Sequence, residues 1–345
     1  MLLSAVSSLV IVSAAIAAAP PVQSGQQFTY RGTVAIHEET ADASASQPKS
    51  FDLNWIVAKA DDQGAKVYWW IDERGHGAFP WADRFGVVSL DAQGQPPAGN
   101  AGPALLFDYG DGESVVPLPT LLAPTEKPPA AGARWSTAGE DYTVQGEQKS
   151  DGRDGWQVQV ANRYGVQRNM LIDKTSPLLL AQSQRVFMNM GTQYDLTMKL
   201  ATVGALTAET LAATEATFSR MLELRGKLQR PPRATDSAWN PAQLKLLAEG
   251  LPEIEKDAAK TPLAAIVTAA ARDAKAQGGR ANDVAALVAN QQGKTLAPFS
   301  LPGLSGGSLS EKDLAGQVTV LHFWDYKDSP LKEPYGQVGY LEFLF

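Results

Sequence analysis

Two neighbouring segments constrain this chain more than any other feature. Phe51, Leu53, Trp55 and Val57 alternate with Asp52, Asn54 and Ile56, and residues 66–73 read KVYWWIDE. Between them lies Asp61-Asp62-Gln63-Gly64. Alternation of period two sends every second side chain to one face of an extended strand, and an Asp/Gly cluster between two such runs is turn chemistry. The pair predicts an antiparallel hairpin rich in aromatic side chains. The pattern recurs further on. Trp156, Val158 and Val160 alternate with Gln157 and Gln159 after the polar turn at 150–155. Runs at 168–173, 178–185 and 194–200 follow at hairpin spacing. Residues 27–203 are therefore expected to form one antiparallel β domain whose sheet is strongly curved or closed. Two Pro/Gly-rich stretches, 93–103 and 117–133, interrupt it and are expected as surface loops.

From Thr207 the periodicity changes to helix. Leu211, Phe218, Leu222 and Leu228 fall near one side. Asn240-Pro241 and Thr261-Pro262 each place a capping side chain before a proline suited to the first helical turn. A third short helix is expected to open at Asn282. Residues 207–291 thus read as a helical connector, with no titratable constellation on its faces.

Composition excludes several chemistries. The sequence has no cysteine, so disulfides, thiolate nucleophiles and Cys-ligated zinc are out. The formal net charge is −7, with 37 acidic and 30 basic residues and no Lys/Arg cluster, which argues against a nucleic-acid partner. Leu2 to Ala19 is apolar or small, and Ala17-Ala18-Ala19 precedes Pro20-Pro21. Residues 1–19 are expected to be a signal peptide or, in the rival reading, a membrane anchor. The first basic residue is Arg31, an unusual start for a leader. The expected location is outside the cytoplasm, periplasmic or extracellular, with a membrane tether through residues 2–19 as the alternative.

Candidate site residues are few. Asp108, Asp111 and Glu113 cluster oxygens of the kind calcium takes, but without EF-hand spacing, so a solvated turn is expected. His76 lies in a polar turn near Trp69, Trp70 and Trp81, an arrangement that would line a ligand groove if the four met. His37 and His322 are the other histidines, the latter on an apolar run. No nucleophile elbow, zinc-protease helix or phosphate loop occurs. No catalytic, cofactor-binding or metal-binding residue and no cofactor is assigned from spacing.

The C-terminal segment, 293–345, carries a motif string. Ala297-Pro298-Phe299-Ser300-Leu301-Pro302 leads through a Gly-rich turn to Asp313-Leu314-Ala315-Gly316, then to the apolar run 318–323 ending in Trp324. This order resembles the TlpA-like and AhpC/TSA branch of the thioredoxin-fold redoxins. The resemblance implies an incomplete thioredoxin-like domain in which Asp328 and Leu331 occupy the positions of the family's two cysteines. An Asp there is already an anion and cannot form a mixed disulfide. A second resemblance rests on 171–177 (LIDKTSP) and the strand 178–185, which look similar to half-barrel periplasmic lipoprotein carriers.

The fold class expected from these readings is a multidomain α+β chain: a curved antiparallel sheet, a helical connector and a partial thioredoxin-like segment. The leading functional expectation is an exported, non-redox binding or docking module that partners a protein or an apolar ligand. The alternatives are a thiol-disulfide oxidoreductase with activity residing beyond residue 345, and a hydrophobic-ligand carrier acting through the β domain.

Overall fold

The computed structural model describes residues 22–319, apart from 38–47, 75–77, 92–93, 98–101, 110–111, 126–128, 189–190, 234–237, 304–305 and 317. The chain divides into two units, residues 1–282 and 283–345.

The first unit is built on strands β1 (Gln26–Ile36), β2 (Lys49–Asp61), β3 (Gly64–Arg74), β4 (Phe85–Asp91), β5 (Ala104–Asp108), β6 (Glu113–Pro117), β7 (Arg134–Thr137), β8 (Glu140–Ser150), β9 (Arg153–Asn162), β10 (Gly165–Asp173), β11 (Leu179–Met188) and β12 (Thr192–Ala205). Ten of these form one antiparallel sheet in the order β4-β3-β2-β1-β12-β11-β10-β9-β8-β7. Its end strands β4 and β7 do not meet, so the sheet is open rather than closed. Each meander step of this sheet joins neighbours in sequence, except that β1 pairs with β12. Register shifts at Thr29/Tyr30, Val57/Lys59, Val144/Gly146, Val166/Arg168 and Leu171/Ile172 mark bulges. A bulge bends its strand and increases the local twist, which is how such a long sheet curves.

The two faces are filled differently. One face, here called the aromatic face, carries Phe28, Tyr30 and Val34 of β1, Phe51, Leu53, Trp55 and Val57 of β2, and Val67, Trp69 and Ile71 of β3, all buried. Val158 and Val160 of β9 and Leu196, Met198 and Leu200 of β12 continue it. Gly32 interrupts the row for a steric reason. A Cβ there would lie 2.2 Å from Phe51 Cζ on the paired strand, so the missing side chain is the seat of the Phe51 ring.

The opposite face is covered over β2–β4 by α1 (Ala208–Lys227), α2 (Pro241–Ala258) and the first part of α3 (Ala264–Gln291). Phe218 of α1 stacks on Tyr68 at 4.2 Å and meets Phe85 edge-on at 5.4 Å. This explains why Ile56 broke the alternation: it is the helix-facing member of a strand buried on both sides. The helix starts follow the sequence. Thr207 accepts from the Thr210 amide, and Asn240 and Gln243 close a capping box around Pro241. The expected break at Asn282 is absent, because α3 continues through Gly278 and Gly279 to Gln291.

In the second unit, β13 (Ser300–Pro302) and β14 (Ser308–Ser310) pair only with each other and lead into a 3-10 turn at Glu311–Leu314. No thioredoxin-like sheet forms among the described residues of this unit. The matching motif string is local: it specifies a turn-linked hairpin, and nothing in it specifies the parallel partners that would make a thioredoxin core.

Candidate functional site

The feature that sets this molecule apart is the covering of its aromatic face. β5 and β6 make a separate two-stranded hairpin outside the ladder of the large sheet. Leu105, Phe107 and Val116 of the hairpin pack onto the aromatic face, and Leu118, Leu121, Leu122 and Ala123 extend the cover. Phe107 meets Tyr194 of β12 edge-on at 5.0 Å. The stretch after β6 is therefore not the surface loop its prolines suggest. Its apolar residues were the available signal, and their burial requires that the face beneath them be apolar too.

The cover is fastened at both ends. At one end the Ala123 amide donates to Pro177 O at 2.8 Å and the Leu179 amide to Leu121 O at 3.1 Å. The Trp135 indole N–H donates to Pro124 O at 2.8 Å. At the other end Lys49 Nζ donates to Leu106 O at 2.5 Å. The same ammonium pairs with Glu73 Oε2 at 2.5 Å, and the two side chains are only 2% and 0% exposed. Lys49 and Glu73 are diagonal neighbours on β2 and β3, both on the aromatic face. Burial pushes the Glu73 carboxyl above its ordinary range, with Lys49 opposing.

Two further polar groups lie within this apolar layer. Trp55 and Trp69 are direct cross-strand partners, both buried, and neither indole N–H has a hydrogen-bond partner among the described residues. A buried donor without an acceptor costs about 1–3 kcal/mol, so such groups call for a physical explanation.

The far end of the face is polar and holds a hydrogen-bonded ion pair. Arg168 binds Glu140 through two 2.6 Å hydrogen bonds, and Tyr142 donates to Glu140 Oε2 at 2.7 Å. Trp135 stacks on Tyr142 at 5.0 Å. Hydrogen bonding from Arg168 holds the Glu140 carboxyl below its usual range. A lowered carboxyl pKa adds stability above the unfolded value of about 4.3 that is lost as pH falls through the folded value. Glu140→Gln is expected to lower the melting temperature at pH 7 by a few degrees, from about 1 kcal/mol after solvent screening. The gap to wild type should narrow as pH falls through the lowered range of the Glu140 carboxyl. Thermal unfolding followed by circular dichroism checks this, and a gap independent of pH would refute it.

The helix-free part of the opposite face holds an open depression of about 810 Å³ lined in part by Tyr164, Arg185, Phe187, Asp195 and Thr197. His37 Nδ1 lies 2.8 Å from Asp195 Oδ2, at its margin. Its mixed, open lining suits a solvated sheet face.

The sequence candidates disperse. Asp108 and Glu113 are cross-strand partners at the turn end of the β5–β6 hairpin. Asp111, His76, His322, Asp328 and Leu331 lie outside the described residues. Trp69 sits on the aromatic face, whereas Trp70 and Trp81 pack under the helices, so the three tryptophans do not line one groove. Among the described residues no group of three His, Cys, Asp or Glu side chains could hold a metal ion. Sequence reasoning missed Lys49 and Glu73, because neither stands in a motif.

No family model matches the chain, and no curated protein matches it. Solved structures with partial likeness include a DUF1329 family protein from Desulfovibrio piger, at 11% identity over 55% of this chain and 88% of that one, TM-score 0.21. A LolA superfamily protein from Nitrosomonas europaea shares 8% identity over 54% of this chain and 87% of its own, TM-score 0.19. A chain of the Pseudomonas aeruginosa MucA/MucB complex shares 12% identity over 53% of this chain and 55% of its own, TM-score 0.25. None of these is a thioredoxin-fold redoxin. The redoxin resemblance of 293–345 is corrected by that segment's own described residues, which form an isolated two-stranded hairpin and a 3-10 turn with no thioredoxin-like sheet, and with it goes the reading of the chain as a redoxin-type docking module or a truncated oxidoreductase. At such low scores the likenesses carry no functional argument, which rests on the site itself.

Proposed function

We propose that this chain binds an apolar ligand between the aromatic face of its sheet and the β5–β6 cover. One observation carries the reading: a continuous buried apolar face is roofed by a hairpin that is not part of the sheet's own hydrogen-bond ladder. A roof of this kind can lift without breaking the sheet, and lifting it bares one face of an otherwise intact fold. Local opening of weakly tied elements is a general property of folded chains. The unpartnered indole N–H groups of Trp55 and Trp69 support the same reading, since a layer used for packing alone gains nothing from them. Export belongs to this proposal and rests on residues 2–19. No helix among the described residues is long and apolar enough to cross a membrane.

The test is titration of the delipidated full chain with 1-N-phenylnaphthylamine, an apolar dye that brightens on leaving water. Saturable brightening is expected, together with quenching of tryptophan emission by energy transfer. The variant Trp55→Phe/Trp69→Phe should keep dye binding and lose a large part of the transfer. Absent or non-saturating brightening with the folded chain would refute the proposal.

A further inference from the structure

Lys49 lies deep in the apolar layer of the aromatic face, and its placement says what kind of ligand would suit it. Lys49 stands at the start of β2, at one end of the row Phe51, Leu53, Trp55. The strand from Lys49 to Trp55 spans about 20 Å at ~3.3 Å per residue. An extended acyl chain laid along this row would place its terminal group against Lys49. We propose, resting on the carrier reading, that the ligand is a single-chain amphiphile with an anionic head, and that Lys49 is the residue that takes the head.

Three observations support the assignment. The Lys49 ammonium is desolvated, and a desolvated charge binds a counter-charge far more strongly than one in water. Its partner, Glu73, is a carboxylate, so the site already accepts the geometry of the group the ligand would bring. Glu73 is also the poorer half of the pair, because burial raises its carboxyl towards the neutral form. A ligand carboxylate replacing Glu73 would leave Lys49 charged and paired and allow Glu73 to take up a proton from solvent. The hydrogen bond from Lys49 to Leu106 O ties head-group exchange to the roof, since the ammonium that turns to the ligand is the one that holds β5.

The experiment compares palmitate with hexadecanol, which share a chain and differ in the head, as competitors of bound 1-N-phenylnaphthylamine on the full chain. Palmitate is expected to compete roughly 10- to 100-fold better, the range of a charge-assisted hydrogen bond. The double variant Lys49→Met/Glu73→Leu replaces the buried pair by apolar groups and should still bind hexadecanol while losing the preference for the acid. Glu73→Gln keeps the ammonium, removes its competitor and should increase the preference. Equal competition by acid and alcohol in the wild-type chain, or a preference that survives in the double variant, would overturn the inference and leave the carrier reading standing. Should the double variant not fold, an unchanged preference in Glu73→Gln overturns it instead. Dye binding with no competition from either lipid overturns it as well, whereas failure of the dye itself to bind overturns the carrier reading.

Discussion

Lys49→Met made alone is expected to destabilise the chain by about 3–5 kcal/mol, because it leaves the Glu73 carboxylate buried without its counter-ion. For a chain of this size that corresponds to a fall in melting temperature of roughly 10 °C. The companion Lys49→Met/Glu73→Leu should recover nearly all of it. Two desolvated charges repay their transfer from water only through each other, so removing both is far milder than removing one. The hydrogen bond to Leu106 O is lost in both variants, and the difference between them isolates the orphaned charge. Thermal or urea unfolding of the wild type and both variants decides the matter. Equal losses in the single and double variants would show that the pair acts through its packing or its tie to β5 rather than through charge.

The second large effect concerns the roof. Phe107 is buried against Tyr194 and is the largest side chain that the hairpin lays on the sheet. Phe107→Ala should cost about 3–5 kcal/mol by lost burial and residual cavity. If the hairpin opens as its own unit, the loss appears first as local opening. Hydrogen exchange of the β5 and β6 amides should then accelerate by about 100-fold or more, each factor of ten corresponding to about 1.4 kcal/mol. Amides of α1, which pack on the other face through Phe218, should change little under conditions where exchange proceeds by local opening. Equal acceleration in both regions would show one cooperative unit, and a roof that cannot lift separately would remove the route by which a ligand enters.

Much of the strand set was legible locally. The alternation at 51–57 and 156–160 and the turns at 61–64 and 150–155 sit where the sheet has its strands and hairpins. The cap Asn240 was legible for the same reason, since a side chain bonding an amide three residues away is a local event. The C-terminal segment shows the limit of local reading. Its Gly-rich turn and flanking Ser-Leu pairs do form a short hairpin, but the resemblance asked them to specify a sheet built from partners that local order does not encode. The β5–β6 hairpin was passed over because two Pro/Gly-rich stretches flank it, and such composition normally marks solvated chain.

The candidate site was the least legible part. Its tryptophans were visible, but Trp69 and Trp70 were taken together when a strand must send them to opposite faces. Lys49 is an ordinary lysine next to an aromatic strand until the fold sets it beside Glu73 of β3 and Leu106 of the roof.

By itself, then, the sequence determined that this chain makes a meander of amphipathic strands followed by capped helices, because both depend on spacings of two to four residues. Only the tertiary structure decided which face receives the helices, that the other is roofed by a detached hairpin, and that a lysine is sealed beneath it. These depend on contacts between residues far apart in the chain, where burial of one surface is settled by whatever surface meets it.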